Sequence, residues 1–162
     1  MIYSDIDGVI RDLCGAAGIN PTEWNCKIGP EELSFVDYFN RNLNLLVDAE
    51  STEYFPTLLY HHSCKESITL LSAQVEHWKP YTEAWILQHF KYVPEIIYAS
   101  NKLKFLTNKE DILIEDSPNL LDYTQVILID KLYNRNIKLP HIRVKTPWEL
   151  VKEIDRRQYG NS

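Results

Sequence analysis

Asp5-Ile6-Asp7-Gly8 sets two carboxylates two residues apart at the end of an apolar run. On an extended chain their side chains point the same way, and they repel unless a cation or a shared proton lies between them. Gly8 lets the backbone turn sharply away. A hard divalent cation such as Mg²⁺ takes oxygen ligands and leaves positions for a phosphate oxygen. Asp116 is placed to supply another oxygen from across a crevice. The other chemistry-bearing residues follow apolar runs in the same way: Ser72 before Ala73-Gln74, Lys102 after Ser100-Asn101, and Glu115-Asp116 before Ser117-Pro118. An Asp after a strand is by itself only a turn former or helix cap. Several strand ends with complementary chemistry carry more, because in an open α/β sheet they converge on one crevice.

The elements that must hold these residues are short. Runs at 1–4, 68–71, 95–99, 112–114 and 126–129 are too short for helices and mostly apolar in succession, as expected of strands buried on both faces of a parallel sheet. A helical pattern over 81–90 follows Pro80, with Trp85, Ile86, His89 and Phe90 near one face. A closing helix starts at Pro147 behind the N-cap Thr146. This alternation predicts an α/β domain with a parallel sheet flanked by helices. The first two runs are separated by far more chain than a crossover needs. Within that stretch a helix is expected from Pro30 to about Val47, with Leu33, Val36, Phe39, Leu43 and Leu46 on one stripe. The expected organisation is a single domain with core 1–12 and 63–157, a small helical insertion at 13–62 lying over one end of the sheet, and a frayed end from Arg156.

Asp5-Ile6-Asp7-Gly8-Val9-Ile10 closely resembles the first motif, DxDGV, of the haloacid dehalogenase superfamily of phosphohydrolases. Ser72 after Ile68-Thr69-Leu70-Leu71, Lys102 after the third run, and Glu115-Asp116 after Ile112-Leu113-Ile114 resemble its second, third and fourth motifs, in order. The resemblance implies a Rossmann-like core with a helical cap inserted after the first strand. It also implies Asp5 as nucleophile forming an aspartyl-phosphate, and Asp7 as acid to the leaving oxygen and then base to water. Mg²⁺ is then held by Asp5, the Asp7 carbonyl and Asp116, and phosphate by Ser72, Lys102 and Gly8. Lys104 is the alternative to Lys102, because the spacing to Asp116 is longer than in relatives. Glu115 stands behind the ligands, holding a metal-bound water or Lys102. The second Asp is kept by the phosphatases and lost by the dehalogenases, so the resemblance favours phosphate esters.

Trp85 in the segment 81–90, the lysine after the third strand, and residues 130–140 followed by Pro147-Trp148-Glu149 resemble the 5′(3′)-deoxyribonucleotidase branch. The expected substrate is a small phosphate monoester, a nucleoside or deoxynucleoside monophosphate, with Trp24, Phe35, Tyr38, Tyr54 and Phe55 as candidate surfaces for the base. Arg11 and Asp12 are expected to border the site, Arg11 either holding a second anion or solvated. A polynucleotide end phosphatase and a catalytically silent binding module are the alternatives.

Composition limits the rest. In 162 residues, 17 basic and 23 acidic side chains leave a net charge of −6, which argues against nonspecific nucleic-acid binding. The hydrophobic fraction of 44% is that of a folded domain. No apolar run spans a bilayer and no leader is readable, so a cytoplasmic protein without a membrane partner is expected. Cys14, Cys26 and Cys64 are expected to be reduced thiols. His61-His62, read as extended chain, face opposite ways and hold no metal. Trp78-Lys79-Pro80 starts a helix, with Lys79 within reach of phosphate, residues 135–138 form a solvated loop, and Arg156-Arg157 is too short for a nucleic-acid arm.

Overall fold

The computed structural model describes residues 1–120, 124–136 and 142–160. Six strands, β1 (Ile2–Ser4), β2 (Ile68–Ser72), β3 (Ile96–Tyr98), β4 (Ile112–Glu115), β5 (Val126–Ile129) and β6 (Ile142–Val144), form one sheet. All pairs are parallel, in the order β3-β2-β1-β4-β5-β6. This is the Rossmann-like arrangement, whose strand order reverses between β1 and β4. Every residue of β1, β2, β4 and β5 is buried, which explains their mostly apolar sequences. Strand β6 was not anticipated: Ile142-Arg143-Val144 is a three-residue edge strand with a charge at its centre and its first residue exposed.

Helices α1 (Leu13–Ala16), α2 (Phe35–Arg41), α3 (Leu45–Asp48) and α4 (Phe55–Cys64) lie between β1 and β2. Helix α5 (Lys79–His89) joins β2 to β3, and α6 (Pro147–Tyr159) closes the chain. The main core joins Ile2, Ile68, Ile112 and Ile127 of the sheet to Phe55 and Leu58 of α4, Trp85 of α5, and Leu150 and Ile154 of α6. On the other face, Tyr3, Leu71, Leu113 and Val126 are covered by Leu103, Phe105, Leu106 and Leu120 from short connecting segments. A third cluster, Leu13, Phe39, Leu46, Ala49 and Trp78, ties α1–α3 to the start of α5.

The segment between β1 and β2 departs from expectation in three ways. The helix expected from Pro30 begins only at Phe35, because residues 28–33 form a tight turn. Ile28 and Leu33 exchange backbone hydrogen bonds of 2.9 and 3.1 Å around Gly29 and Glu32, both at positive φ. That helix stops at Asn42, whose side chain donates to the Tyr38 carbonyl at 2.8 Å and so competes with the helical ladder. Third, His61 and His62 are helical, in α4, and both are used locally: the His61 ring meets the Glu66 carbonyl and Gln158, and His62 meets the Tyr92 carbonyl and the Ile68 amide.

The chain end is ordered further than expected. Arg156 and Arg157 are helical and both grip Glu153, at 2.7 and 2.6 Å. The loop expected at 135–138 lies partly outside the described residues, as does the end of 130–140. Among the described residues no helix is long and apolar enough to cross a membrane. The three cysteines are free thiols.

Candidate functional site

Where the strand order reverses, the C-terminal ends of β1 and β4 bring Asp5 beside Glu115 and Asp116. Lys102, on the connection from β3 to β4, reaches between them: its Nζ lies 2.7 Å from Asp5 Oδ1 and 2.6 Å from Glu115 Oε2. The other Glu115 oxygen accepts from the backbone N–H groups of Asp116 and Ser117, at 3.0 and 3.1 Å. Glu115 is thereby fully engaged, and its work is to hold Lys102 and the Asp116 turn. Asp116 is fixed from behind by Asn134, whose amide donates to the Asp116 carbonyl at 2.8 Å and to the Ile129 carbonyl at 2.9 Å. The Tyr133 hydroxyl donates to Asp116 Oδ2.

Gly8 is required by this packing. It sits at φ +80°, and a Cβ there would come within 1.9 Å of Asp116 Oδ2. The glycine therefore lets the loop carrying Asp7 lie directly against the Asp116 carboxylate.

These residues floor a cavity of about 480 Å³. Asp5, Asp7, Gly8, Ser72, Lys102, Glu115 and Asp116 all line it, so every site residue expected from the sequence meets there except Lys104. Lys104 is exposed and lies over the Phe105 ring. Trp24, Phe35 and Val36 from the segment between β1 and β2, with Trp78, form an apolar wall, and Asn25 and Gln74 add amides. Trp24 packs on Tyr133 with ring centres 5.5 Å apart, bridging the inserted segment and the core. Of the other aromatic candidates, Tyr54 and Phe55 belong to the main core and Tyr38 packs against Phe39.

Three polar residues also differ from expectation. Lys79 pairs with Glu76 at 2.6 Å and does not line the cavity. Asp12 caps α1, accepting from the Gly15 N–H at 2.8 Å. Arg11 is neither solvated nor open to an anion: it is fully buried, and its Nε donates to Asp7 Oδ1 at 2.7 Å. Tyr133, Asn134 and Trp78 are the contributors that sequence reasoning missed, the first two because nothing local links them to Asp116.

The electrostatics are lopsided. Burial, with Glu115 close by, pushes the Asp5 carboxyl well above the usual range despite Lys102. Burial and then Glu115 push Asp116 up to about 8. Burial also works against Glu115, but the charge and hydrogen bond of Lys102 overcome it and hold Glu115 down to about 2. Burial works against the Lys102 ammonium too, and Asp5 and Glu115 more than offset it, so Lys102 stays charged. Lys102 thus pairs with Asp5 and Glu115, and Asp116 has no ion-pair partner among the described residues. Asp5, Glu115 and Asp116 each offer an oxygen within 4.8 Å of the others. Glu115 is already satisfied, so Asp5 and Asp116 are the oxygens left facing a cation.

The fold and the site together define a Rossmann-like α/β protein with an acidic, lysine-bearing cavity at the switch point of its sheet. No protein-family model and no curated protein matches the sequence.

Proposed function

We propose that this chain is a Mg²⁺-dependent phosphomonoesterase of the haloacid dehalogenase type, working through an aspartyl-phosphate on Asp5. The observation that carries the reading is the under-neutralised pair Asp5 and Asp116 at the switch point, with Lys102 alongside and Asp7 lining the same cavity. Carboxylates whose ionised forms are disfavoured by burial and by each other suit a hard divalent cation. The Gly8 turn pressed on Asp116 fits the same role. When bound there by Asp5, Asp116 and the Asp7 carbonyl, Mg²⁺ supplies charge neutralisation for the phosphate.

The chain's own residues account for the rest. A carboxylate oxygen of Asp5 attacks phosphorus as the ester P–O bond breaks, and Asp7 gives its proton to the departing oxygen. Asp7, now a carboxylate, takes a proton from the water that attacks phosphorus, and the Asp5–phosphorus bond breaks to restore the nucleophile. Lys102, held by Glu115, and the Ser72 hydroxyl and Gly8 backbone stabilise the equatorial oxygens.

Cavity size and lining support a small substrate. A volume near 480 Å³ falls within the usual range for small-ligand sites. Trp24, which is exposed, and the partly exposed Phe35 offer apolar ring surface to a nucleobase, which favours nucleoside or deoxynucleoside monophosphates. Lys102 is the one basic side chain lining the cavity among the described residues, so no basic track supports a polynucleotide. The inserted segment acts as a cap that excludes water and reads the leaving group. Free thiols at Cys14, Cys26 and Cys64 fit a reducing, cytoplasmic setting.

Purified protein with Mg²⁺ is expected to release phosphate from an aryl phosphate, and Asp5→Asn to lower the rate by about 10⁴-fold or more. Equal inactivity of both proteins on nucleotides, sugar phosphates and end-phosphorylated oligonucleotides would replace this reading with a binding module. Preference for end-phosphorylated DNA would replace the substrate class.

A further inference from the structure

Arg11 is a buried cation that must be explained. It is 0% exposed, and each guanidinium nitrogen has a partner. Nε donates to Asp7 Oδ1 at 2.7 Å, Nη1 to the Leu46 carbonyl at 2.7 Å, and Nη2 to Thr82 Oγ1 at 3.1 Å. Asp7 is its only ion-pair partner among the described residues. Its main chain is tied to the same turn: the Arg11 N–H donates to the Ile6 carbonyl and the Gly8 N–H to the Arg11 carbonyl, both at 2.9 Å.

The partners belong to separate elements. Leu46 lies in α3, within the inserted segment, and Thr82 lies in α5 of the core. Thr82 in turn donates to Gln74 Oε1 at 2.8 Å, and Gln74 lines the cavity. Arg11 is thus clamped from two sides while it grips one oxygen of Asp7. The Asp7 side chain keeps 23% of its surface exposed, toward the cavity. A guanidinium fixed in this way denies a carboxylate its free rotation and leaves Oδ2 for proton transfer. Misplacing a transferring group by about 1 Å is enough to cost on the order of 10²-fold in rate.

We propose that Arg11 is a positioning residue, aiming Asp7 at the oxygen that leaves phosphorus. The inference rests on the reading of Asp7 as the proton donor. In that step the proton passes from Asp7 to the leaving oxygen as the phosphorus–oxygen bond breaks and the Asp5–phosphorus bond forms. An alkoxide leaving group depends on that proton, whereas a nitrophenolate leaves with little help.

The test is kcat/KM for an alkyl phosphate, such as a nucleoside 5′-monophosphate, and for p-nitrophenyl phosphate, with Mg²⁺ present. Arg11→Lys and Arg11→Gln are expected to lower the alkyl value by about 10²-fold. On the aryl ester the loss of kcat/KM, which reads only the steps through departure of the leaving group, is expected to stay under about tenfold, with the same asymmetry in Asp7→Asn. Equal losses on both esters would reduce Arg11 to a structural part and overturn the proposal. Should both variants fail to fold, Thr82→Val releases one side of the clamp and leaves the Asp7 contact. It is expected to show the same asymmetry at about threefold to tenfold, and a symmetric effect there overturns the proposal equally. A wild type inert on both esters, or one insensitive to Asp5→Asn, removes the phosphatase reading and this inference with it. An active, Asp5-dependent wild type with symmetric Arg11 losses removes the inference alone.

Discussion

Carboxylates in two parts of this molecule are treated in opposite ways. At the cavity, Asp5 and Glu115 share the single ammonium of Lys102, Asp116 lies beside them with no ion-pair partner among the described residues, and two of the three are pushed toward the protonated form. Asp130, at the end of β5, instead lies 3.0 Å from both Arg135 and Arg143. Glu153, on α6, is held by Arg156 and Arg157. Burial pushes Asp130 and Glu153 upward too, but the guanidinium hydrogen bonds win and both end below the usual range. Folding is served by the second arrangement. The first opposes folding, and a fold keeps such a cluster where a function needs it; the proposed cation and phosphate would supply that need.

The largest expected break in this contrast comes from neutralising one carboxylate in each region. Asp116→Asn is expected to lower Mg²⁺-dependent phosphate release by about 10³-fold. The same change is expected to raise metal-free stability by about 1–2 kcal/mol, because it removes a carboxyl that folding must protonate at neutral pH and keeps an acceptor for Tyr133. Wild type should gain about 2.7 kcal/mol from Mg²⁺ at roughly a hundred times its Kd, and the variant little. Glu153→Gln should do the reverse, costing about 1 kcal/mol, a figure kept low because Arg156 is half exposed. Urea melts with and without Mg²⁺ read all of these. A destabilised Asp116→Asn would erase the contrast.

A smaller effect follows from pH. Asp116 titrates near 8 in the folded protein against 3.8 ordinarily, so between those values the folded form holds a proton that the unfolded chain has lost. Metal-free stability is therefore expected to rise as pH falls from above 8 toward 4. Asp5 shifts in the same direction and adds to this limb. Asp130 and Glu153 have the opposite sign: their stabilisation is present above their ordinary values and is lost as pH drops through their lowered folded ones. The profile should thus peak on the acid side of neutrality. Saturating Mg²⁺, which requires the carboxylates ionised, should flatten the upper limb, and urea melts across pH that show no such flattening would count against a cation at Asp116.

What could be read from the sequence followed from locality. Strands β1, β2, β4 and β5 are buried on both faces, so their composition alone marks them, and each site residue sits within a few positions of a strand end. The helix expected from Pro30 rested on apolar spacing, which is blind to Gly29 turning the chain before it and Asn42 stopping it. Strand β6 carries an arginine where a core strand would carry an apolar residue. The role of Arg11 was hidden for another reason: its partners Leu46 and Thr82 lie 35 and 71 residues away. Tyr133 reaches Asp116 across 17 residues. Such contacts are properties of the packed sheet and of no window of sequence.

The smallest expected effect decides what spacing left open. Lys102 and Lys104 are near neighbours of the same charge, and both stood as candidates for the phosphate. The chain separates them by burial: Lys102 is 6% exposed and bound by Asp5 and Glu115, whereas Lys104 is exposed against Phe105. A solvated ammonium outside the cavity would be screened from a phosphate bound within it. Lys104→Ala is therefore expected to leave kcat/KM within about twofold and stability within about 0.5 kcal/mol. Lys102→Ala, by contrast, would leave Glu115 a buried charge without its cation and strip the phosphate of its nearest one. A loss on Lys104→Ala comparable to that on Lys102→Ala, measured by phosphate release at matched Mg²⁺, would mean that the cavity draws on a second cation, and the single-lysine account of its charge would have to be abandoned.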